Sequence, residues 1–330
     1  MNHRVLHFIF LLILLNSKFV TSNELYPDPN NLIDEMSSAT IDLNYDGIFI
    51  YRHDNKMDTM RIIHKKNMNG DVSERLISLS DNEREIIRKK NTVKYLFPDK
   101  KIILVEEDSS KQLIPTHIPS QIKKITNFYR FEIAGNSRVA GLDAWIINIK
   151  PIDKYRYGYQ LWIDKQSKLL LKSKLKNYQG MTLEDVMFVQ MQVMSDINDS
   201  LLEPSISTEG FKQIYHVNDK VKVPSQKNDK KKWTTSWMPV GFSMSKYSKN
   251  PISTNSAPVE HYIYSDGLAT ISIFVEKIIH TNINNTSPKI TSFGGVNTYS
   301  KQTDGHQITA VGEVPKTTVK LIANSVKASN

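Results

Sequence analysis

Few residues of this chain are arranged as a reaction centre would require. The nine histidines are scattered and form no His-Glu-x-x-His or comparable metal-binding pattern. The chain has no cysteine, which excludes thiol chemistry and cysteine-rich zinc sites. Neither a Gly-x-Gly-x-x-Gly run nor a phosphate-binding loop occurs. The sequence therefore predicts neither a metal nor a nucleotide cofactor.

Three short runs look catalytic but are in the wrong order. Ser243 to Lys246 matches Ser-x-x-Lys, while residues 80–82 and 316–318 resemble the other motifs of penicillin-site enzymes. In those enzymes the Ser-Asn element follows the Ser-x-x-Lys, so we interpret the three matches as chance. Glu184 and Asp185 are adjacent and would point to opposite sides of a strand, which makes a poor acid/base pair. We expect a binding protein and not an enzyme.

The densest aromatic stretch is Pro151 to Ser173, where tyrosines recur at every second position. We call Tyr155, Tyr157 and Tyr159 the tyrosine row. Alternation predicts a strand with these tyrosines on one face and Arg156 and Trp162 on the other. Tyrosine suits the wall of an apolar cavity, because its ring is apolar while its hydroxyl can meet water or a head group. The alternative is that the rings pack in an ordinary core.

A second candidate region is Val259 to Lys277, which reads as two strands around a turn at residues 265–267. We take seven residues as candidates for binding a ligand or partner: Tyr155, Arg156, Tyr157, Tyr159, Trp162, Tyr264 and Asp266.

The first 22 residues have the form of a secretory signal. A short basic start is followed by an apolar run from Val5 to Leu15 and then by small and polar residues up to Ser22. The run is too short for a membrane-spanning helix, which needs about 20 residues. We therefore expect an exported protein, with cleavage after Ser22.

The net charge of +9 indicates an anionic partner. For an exported protein nucleic acid is excluded, and anionic lipid head groups, lipopolysaccharide phosphates or an acidic protein are the better candidates. The alternative is an ordinary solvated basic surface.

The sequence predicts a helix and then a series of strands as the elements that position the candidate residues. Asn30 is predicted to cap a helix whose apolar face holds Leu32, Ile33, Met36 and Ala39. Tyr45 to His53 is strand-like, and turns recur after Gly70 as in an antiparallel meander. Ile118, Ile122 and Ile125 fit a short helix, and strands resume at Tyr129.

A change in composition between residues 204 and 232 predicts a linker rich in polar, charged and helix-breaking residues. Residues 23–203 then form the first domain and residues 233–330 the second. The second domain reads as a small antiparallel sheet with a C-terminal helix, whose apolar positions are Val319, Ile322, Ala323 and Val326.

Long runs of this sequence resemble the RseB/MucB family. They are "NYDGIFIYRH" (44–53), "MDTMRIIH" (57–64), "RVAGLDAWIINIKPIDKYRYGYQLWID" (138–164), "WMPVGF" (237–242), "VEHYIYSDGLATISIFVE" (259–276) and "TAVGEVPKTTVKLIANSV" (309–326). The resemblance covers nearly the whole chain after the signal.

The resemblance implies an α+β fold. The first domain would be an unclosed half β-barrel similar to the lipoprotein carriers LolA and LolB, with helices across its concave face. The second would be a smaller antiparallel sheet with a C-terminal helix.

The resemblance also implies a periplasmic negative regulator of the sigma-E envelope-stress response. Such a regulator binds the periplasmic part of the anti-sigma factor RseA/MucA and shields it from the site-1 protease. Lipopolysaccharide or lipoprotein acyl chains would release it. A periplasmic lipid or lipoprotein carrier is the alternative, but simple carriers end after the half-barrel, so the second domain favours the regulator. A homo-oligomer is left open.

Overall fold

The computed structural model describes residues 26–80, 84–107, 113–114, 125–216, 233–251, 258–278 and 287–329. The predicted signal, residues 1–22, and Ile118 and Ile122 of the predicted short helix lie outside this part of the chain. Within it, no helix is long and apolar enough to cross a membrane.

The first helix, α1, spans Pro29–Asp42. Its N-cap is Asp28, whose carboxylate accepts hydrogen bonds from the backbone N–H groups of Asn30 and Asn31. The predicted cap at Asn30 is therefore wrong by two positions, because a proline at the first helical position needs no N–H partner and lets the helix begin earlier. The predicted apolar face is confirmed, with Leu32, Ile33 and Met36 almost fully buried.

Six strands follow one another in chain order, and the meander predicted after Gly70 is confirmed as the last four of them. They are β1 (Asn44–His53), β2 (Lys56–Lys66), β3 (Val72–Ser78), β4 (Glu85–Lys89), β5 (Thr92–Phe97) and β6 (Ile102–Glu106). Each pairs antiparallel with the next.

Six further strands complete the large sheet. They are β7 (Tyr129–Val139), β8 (Leu142–Pro151), β9 (Gly158–Asp164), β10 (Leu170–Lys176), β11 (Thr182–Met194) and β12 (Lys212–His216). β11 returns to pair with β1, so the order is β12-β6-β5-β4-β3-β2-β1-β11-β10-β9-β8-β7. The end strands β12 and β7 do not pair with each other, and the predicted unclosed sheet is confirmed.

β9 begins at Gly158 and does not include the first two tyrosines of the row. Tyr155 and Tyr157 lie in the preceding turn, where the Asp153 carboxylate accepts the Tyr155 N–H at 2.9 Å. An Asp side chain bonded two residues ahead favours a turn over an extended strand. The prediction of one continuous strand through Tyr155, Tyr157 and Tyr159 is therefore wrong.

Part of the predicted linker belongs to the large sheet. β12 lies within residues 204–232 and pairs parallel with β6, outside the antiparallel meander. Just before it, the Ser205 hydroxyl donates to the Glu85 carboxylate. Residues 204–216 are thus tied to the first domain, and the remaining residues of the predicted linker, 217–232, lie outside the described part of the chain.

A row of polar side chains is buried across β1 to β4. Tyr45 stacks on His64 with ring centroids 4.8 Å apart. His64 Nε2 lies 3.8 Å from Glu74 Oε1, and Arg88 Nε lies 3.0 Å from Glu74 Oε2. All four side chains are buried. Burial raises the pKa of Tyr45 and Glu74 and lowers the pKa of His64.

The second domain is built on a six-stranded antiparallel sheet of order β14-β15-β16-β19-β18-β17. Its strands are β14 (Ser243–Pro251), β15 (Pro258–Ser265), β16 (Thr270–Lys277), β17 (Lys289–Phe293), β18 (Val296–Thr303) and β19 (His306–Gly312). Helix α2 (Lys316–Ser325) packs on β18 and β19 through Val319, Ile322 and Ala323. β13 (Trp233–Thr235) pairs with β20 (Val326–Ala328) beside it. The predicted α+β class, with a smaller C-terminal sheet and helix, is confirmed.

Candidate functional site at the domain junction

One side chain of the second domain packs in the hydrophobic core of the first. Leu268, from the β15–β16 turn, is 6% exposed and packs in a cluster otherwise formed by the first domain. Its neighbours in that cluster include Tyr129, Tyr157 and Tyr159. We call this contact region the domain junction. An apolar side chain buried across it contributes about 1.5–3 kcal/mol, which favours a fixed arrangement over two freely moving domains.

A buried ion pair lies at the centre of the domain junction. Arg156 has no exposed surface, and its Nη1 donates to Asp266 Oδ2 at 2.9 Å. Its Nη2 donates to the Val240 carbonyl oxygen at 2.6 Å and lies 3.2 Å from the Asp153 carboxylate. Asp266 and Val240 belong to the second domain, so one guanidinium bonds both domains.

Aromatic rings surround the same guanidinium. Its carbon lies 5.3 Å from the ring centroid of Phe128, 5.6 Å from that of Tyr129 and 5.2 Å from that of Phe242. The negative faces of such rings attract a cation, most strongly where water is excluded. The rings and the carboxylates together offset the cost of removing this charge from water.

Asp266 is satisfied by four donors. Its Oδ1 accepts the backbone N–H groups of Leu268 and Ala269 at 2.9 and 2.8 Å, which forms the turn that carries Leu268. Its Oδ2 accepts from Arg156 and from the Tyr129 hydroxyl, each at 2.9 Å. Burial, and then the Asp266 charge, raise the Tyr129 pKa well above its ordinary value. The hydroxyl therefore remains a donor at any physiological pH.

The other two hydroxyls at the junction also meet the second domain. Asn297 Nδ2 donates to the Tyr157 hydroxyl at 2.9 Å and to the Val314 carbonyl oxygen at 2.7 Å. The Tyr159 hydroxyl donates to Glu313 Oε2 at 2.5 Å. Burial raises the pKa of both tyrosines, and the Glu313 charge adds to the shift. Both hydroxyls are thus neutral groups that join the domains.

Tyr155 completes the contact. Its ring lies edge-on to Trp237 at 5.1 Å between centroids, and its carbonyl oxygen accepts the Thr318 hydroxyl at 2.9 Å. The whole tyrosine row therefore packs against the second domain. Of the two interpretations of the row, the structure favours the core, because the second domain covers the rings of Tyr157 and Tyr159.

A second contact joins the β17–β18 turn to the first domain. Gly295 N donates to Glu184 Oε1 at 2.6 Å, and Gly294 N donates to Asp54 Oδ2 at 3.0 Å. The Tyr51 hydroxyl donates to the other Glu184 oxygen at 3.0 Å. A Cβ at either glycine would overlap the first domain, at the Glu184 carboxylate for Gly294 and at Leu175 for Gly295. This close approach explains the glycine pair.

The seven candidate residues are only partly brought together. Tyr155, Arg156, Tyr157, Tyr159 and Asp266 meet at the domain junction. Trp162 lies on the opposite face of the large sheet, beneath the ammonium groups of Lys172 and Lys174. Tyr264 is partly buried against the core of the second domain, across from Met244.

Sequence reasoning missed several residues of the domain junction: Tyr129, Leu268, Asn297 and Glu313. None lies in a motif or a regular alternation that would have marked it. The structure adds no metal centre, since the described residues hold no group of three or more metal-ligating side chains.

An unclosed sheet joined to a smaller sheet through a buried ion pair defines a two-domain α+β protein. The chain belongs to the MucB/RseB family. The family model for the MucB/RseB N-terminal domain matches residues 28–206, and the model for the MucB/RseB C-terminal domain matches residues 227–327.

Curated relatives are similar over nearly their whole length. The sigma-E factor regulatory protein RseB of Escherichia coli K12 is 28% identical over 91% of each chain. The sigma factor AlgU regulatory protein MucB of Pseudomonas aeruginosa is 27% identical over 96% of each. These relatives are regulators of sigma factors, which confirms the expectation that the chain is not an enzyme.

Solved structures of MucB share the fold. The crystal structure of MucB in complex with MucA(peri) superposes with a TM-score of 0.71 at 25% identity, covering 92% of this chain and 100% of that one. MucB crystallised alone gives a TM-score of 0.61 at the same identity and coverage of this chain.

Proposed function

We propose that this chain is a periplasmic negative regulator of a sigma-E-type envelope-stress response. It binds the periplasmic part of a membrane-spanning anti-sigma factor of the RseA/MucA type and shields it from site-1 proteolysis. Lipid or lipopolysaccharide signals release it. Membership of the MucB/RseB family supports this role.

The observation that best supports this role is the arrangement of the two domains. The chain superposes better on MucB in its two complexes with MucA, with TM-scores of 0.71 and 0.72, than on MucB alone, at 0.61. The buried contacts of Arg156 and Asn297 stabilise this arrangement. A preformed arrangement lowers the conformational cost of binding.

For release by lipid, we expect acyl chains to bind the unclosed sheet. Part of its inner face is apolar, where Phe49, Ile62 and Phe188 pack together, and such a surface is suited to acyl chains. The alternative function, a periplasmic lipid or lipoprotein carrier, relies on the same face. The second domain favours the regulator, since its buried contacts with the first domain have no role in a simple carrier.

The binding and shielding are tested together with the anti-sigma factor of the same organism. Its periplasmic segment is mixed with the mature chain, the Kd is measured, and cleavage by the site-1 protease is followed. At a chain concentration about 100 times the Kd, we expect cleavage to slow by about 100-fold, because only the free segment is cut. Adding lipopolysaccharide should restore the faster rate.

Two aspartate variants serve as a matched pair in this assay. Asp266→Asn weakens the domain junction, while Asp304→Asn makes the same chemical change in an exposed turn. We expect weaker binding for the first variant and unchanged binding for the second. Absence of binding by the unmodified chain would instead favour the carrier.

A further inference from the structure

The outer face of the large sheet, opposite the domain junction, carries a row of lysines. Lys172, Lys174 and Lys176 alternate along β10, so all three side chains leave the same face. Trp162 and Gln160 lie directly across from Lys172 and Lys174 on β9. We call this the lysine row. It is distinct from the tyrosine row, which leaves the other face.

The lysine side chains are held in place. The ammonium groups of Lys172 and Lys174 lie 5.1 and 5.6 Å from the ring centroid of Trp162. Lys176 Nζ donates to Gln160 Oε1 at 2.8 Å. Burial lowers the pKa of Lys172 and of Lys176. These charges are thus partly withdrawn from water, and an added anion would offset that cost.

Positive charge exceeds negative charge on this face. Within the described residues, neither Lys174 nor Lys176 has a carboxylate within ion-pair distance. Asp185 lies 3.2 Å from Arg52 and 3.9 Å from Lys172, so it is already shared. A surface with unmatched lysines attracts anions, most strongly at low salt.

An exposed apolar tip adjoins the lysine row. In the β10–β11 turn, Tyr178 is 66% exposed and Met181 is 58% exposed. Asn177 Oδ1 accepts the N–H groups of Gln179 and Met181, which fixes the turn. Beneath the tip is a cleft of about 430 Å³, lined in part by Lys150, Lys176 and Tyr178. Lysines beside an exposed tyrosine suit a lipid head-group layer, where the ring enters and the cations meet phosphates.

We propose that the lysine row and the tip at Tyr178 and Met181 dock the chain on a membrane surface of anionic phospholipids. The cations contact several phosphates at once, because the row extends along the strand and does not converge on a single pocket. Tyr178 and Met181 enter the interfacial layer. This inference needs no protein partner and can fail while the proposed regulation holds.

The test measures binding of the mature chain to vesicles by co-sedimentation. We expect binding to vesicles of equal parts phosphatidylcholine and phosphatidylglycerol, loss of binding at high salt, and none to pure phosphatidylcholine. The double variant Lys174→Glu/Lys176→Glu should lower the partition coefficient by at least about 30-fold, since each lysine at an anionic surface contributes about fivefold. Tyr178→Ser should weaken binding without changing its salt dependence.

The matched control is Lys320→Glu/Lys327→Glu, with the same charge change on exposed lysines of the second domain. It should bind as the unmodified chain does. Equal loss in both double variants would mean a general charge effect and would overturn the proposed site. Pyrophosphate is added to the vesicle assay, and its binding to the chain is also measured without lipid. If it abolishes vesicle binding and also binds the chain without lipid, the site recognises a soluble phosphate ligand, and the proposal is overturned. If Lys174→Glu/Lys176→Glu does not fold, Lys174→Gln/Lys176→Gln takes its place, because it removes the two positive charges without adding negative ones.

Discussion

Replacing Asp266 with asparagine is expected to lower the free energy of unfolding by about 3–5 kcal/mol, the usual cost of removing one partner of a buried ion pair. Asparagine preserves the Oδ1 acceptor for Leu268 and Ala269 and so spares the turn. It removes one of the two carboxylate charges that face Arg156, which has no exposed surface. Chemical denaturation followed by tryptophan fluorescence would measure the loss.

Two further variants separate the ion pair from its surroundings. Tyr129→Phe removes a single hydrogen bond to Asp266 and should cost only about 1 kcal/mol. Arg156→Met/Asp266→Asn removes both charges and should be less destabilised than Asp266→Asn alone, which leaves the buried guanidinium with only the Asp153 carboxylate beside it. Asp304→Asn, in an exposed turn, should change stability little. The loss in free energy of unfolding of the double variant is compared with the sum of the losses of Arg156→Met and Asp266→Asn. Equality of the two would contradict a direct interaction between the two charges.

Replacing Glu74 with glutamine is expected to change how stability depends on pH. Burial raises the Glu74 pKa to about 7, and burial lowers the His64 pKa to about 4. The folded state therefore holds a proton on Glu74 that the unfolded state releases, so this group's contribution to stability is lost as pH rises from about 4.5 to 7. His64 acts in the opposite sense, and its contribution is lost as pH falls from about 6.5 to 4.

The two contributions oppose each other in the unmodified chain. Each amounts to about 3 kcal/mol, at about 1.4 kcal/mol per pKa unit. Glu74→Gln should leave only the histidine effect, so its stability relative to the unmodified chain should rise by about 3 kcal/mol between pH 4.5 and 7. His64→Asn, which can still donate to the Leu43 carbonyl, should show the reverse trend. Denaturation midpoints across this pH range provide the measurement, and parallel curves for all three proteins would contradict the assignment.

Much of the fold could be predicted from the sequence because it depends on local patterns. The apolar face of α1, the meander from β1 to β6 and the helix α2 follow from periodicity and turn residues. The parallel pairing of β12 with β6 could not be predicted, because residues 204–216 have the composition of a linker and gain a strand only from their partner. The start of β9 was misplaced because the Asp153 side chain overrides the alternation of the tyrosines.

The candidate site could be predicted only in part. Tyrosine spacing correctly singled out residues at the domain junction, but spacing cannot show what covers a face. Arg156 was assigned to the face opposite the tyrosines, whereas the turn directs it into the same junction. Its partners Val240 and Asp266 are 84 and 110 residues away in sequence, and Asn297 is 140 residues from Tyr157. Contacts between residues so far apart in the sequence produce no pattern that a single sequence can show.

The pairing of β1 with β11 constrains the order in which the first domain can form. Tyr45 lies opposite Val193, so the central strand of the sheet has one neighbour nearby in sequence and another almost 150 residues later. As the chain emerges from the amino end, β1 to β6 can assemble as a local meander, but the far edge of β1 stays unpaired until Thr182–Met194 follows. Such long-range pairing is slow, and an open apolar edge invites aggregation. We therefore expect a chain that is interrupted before β11 to aggregate more readily than the full chain.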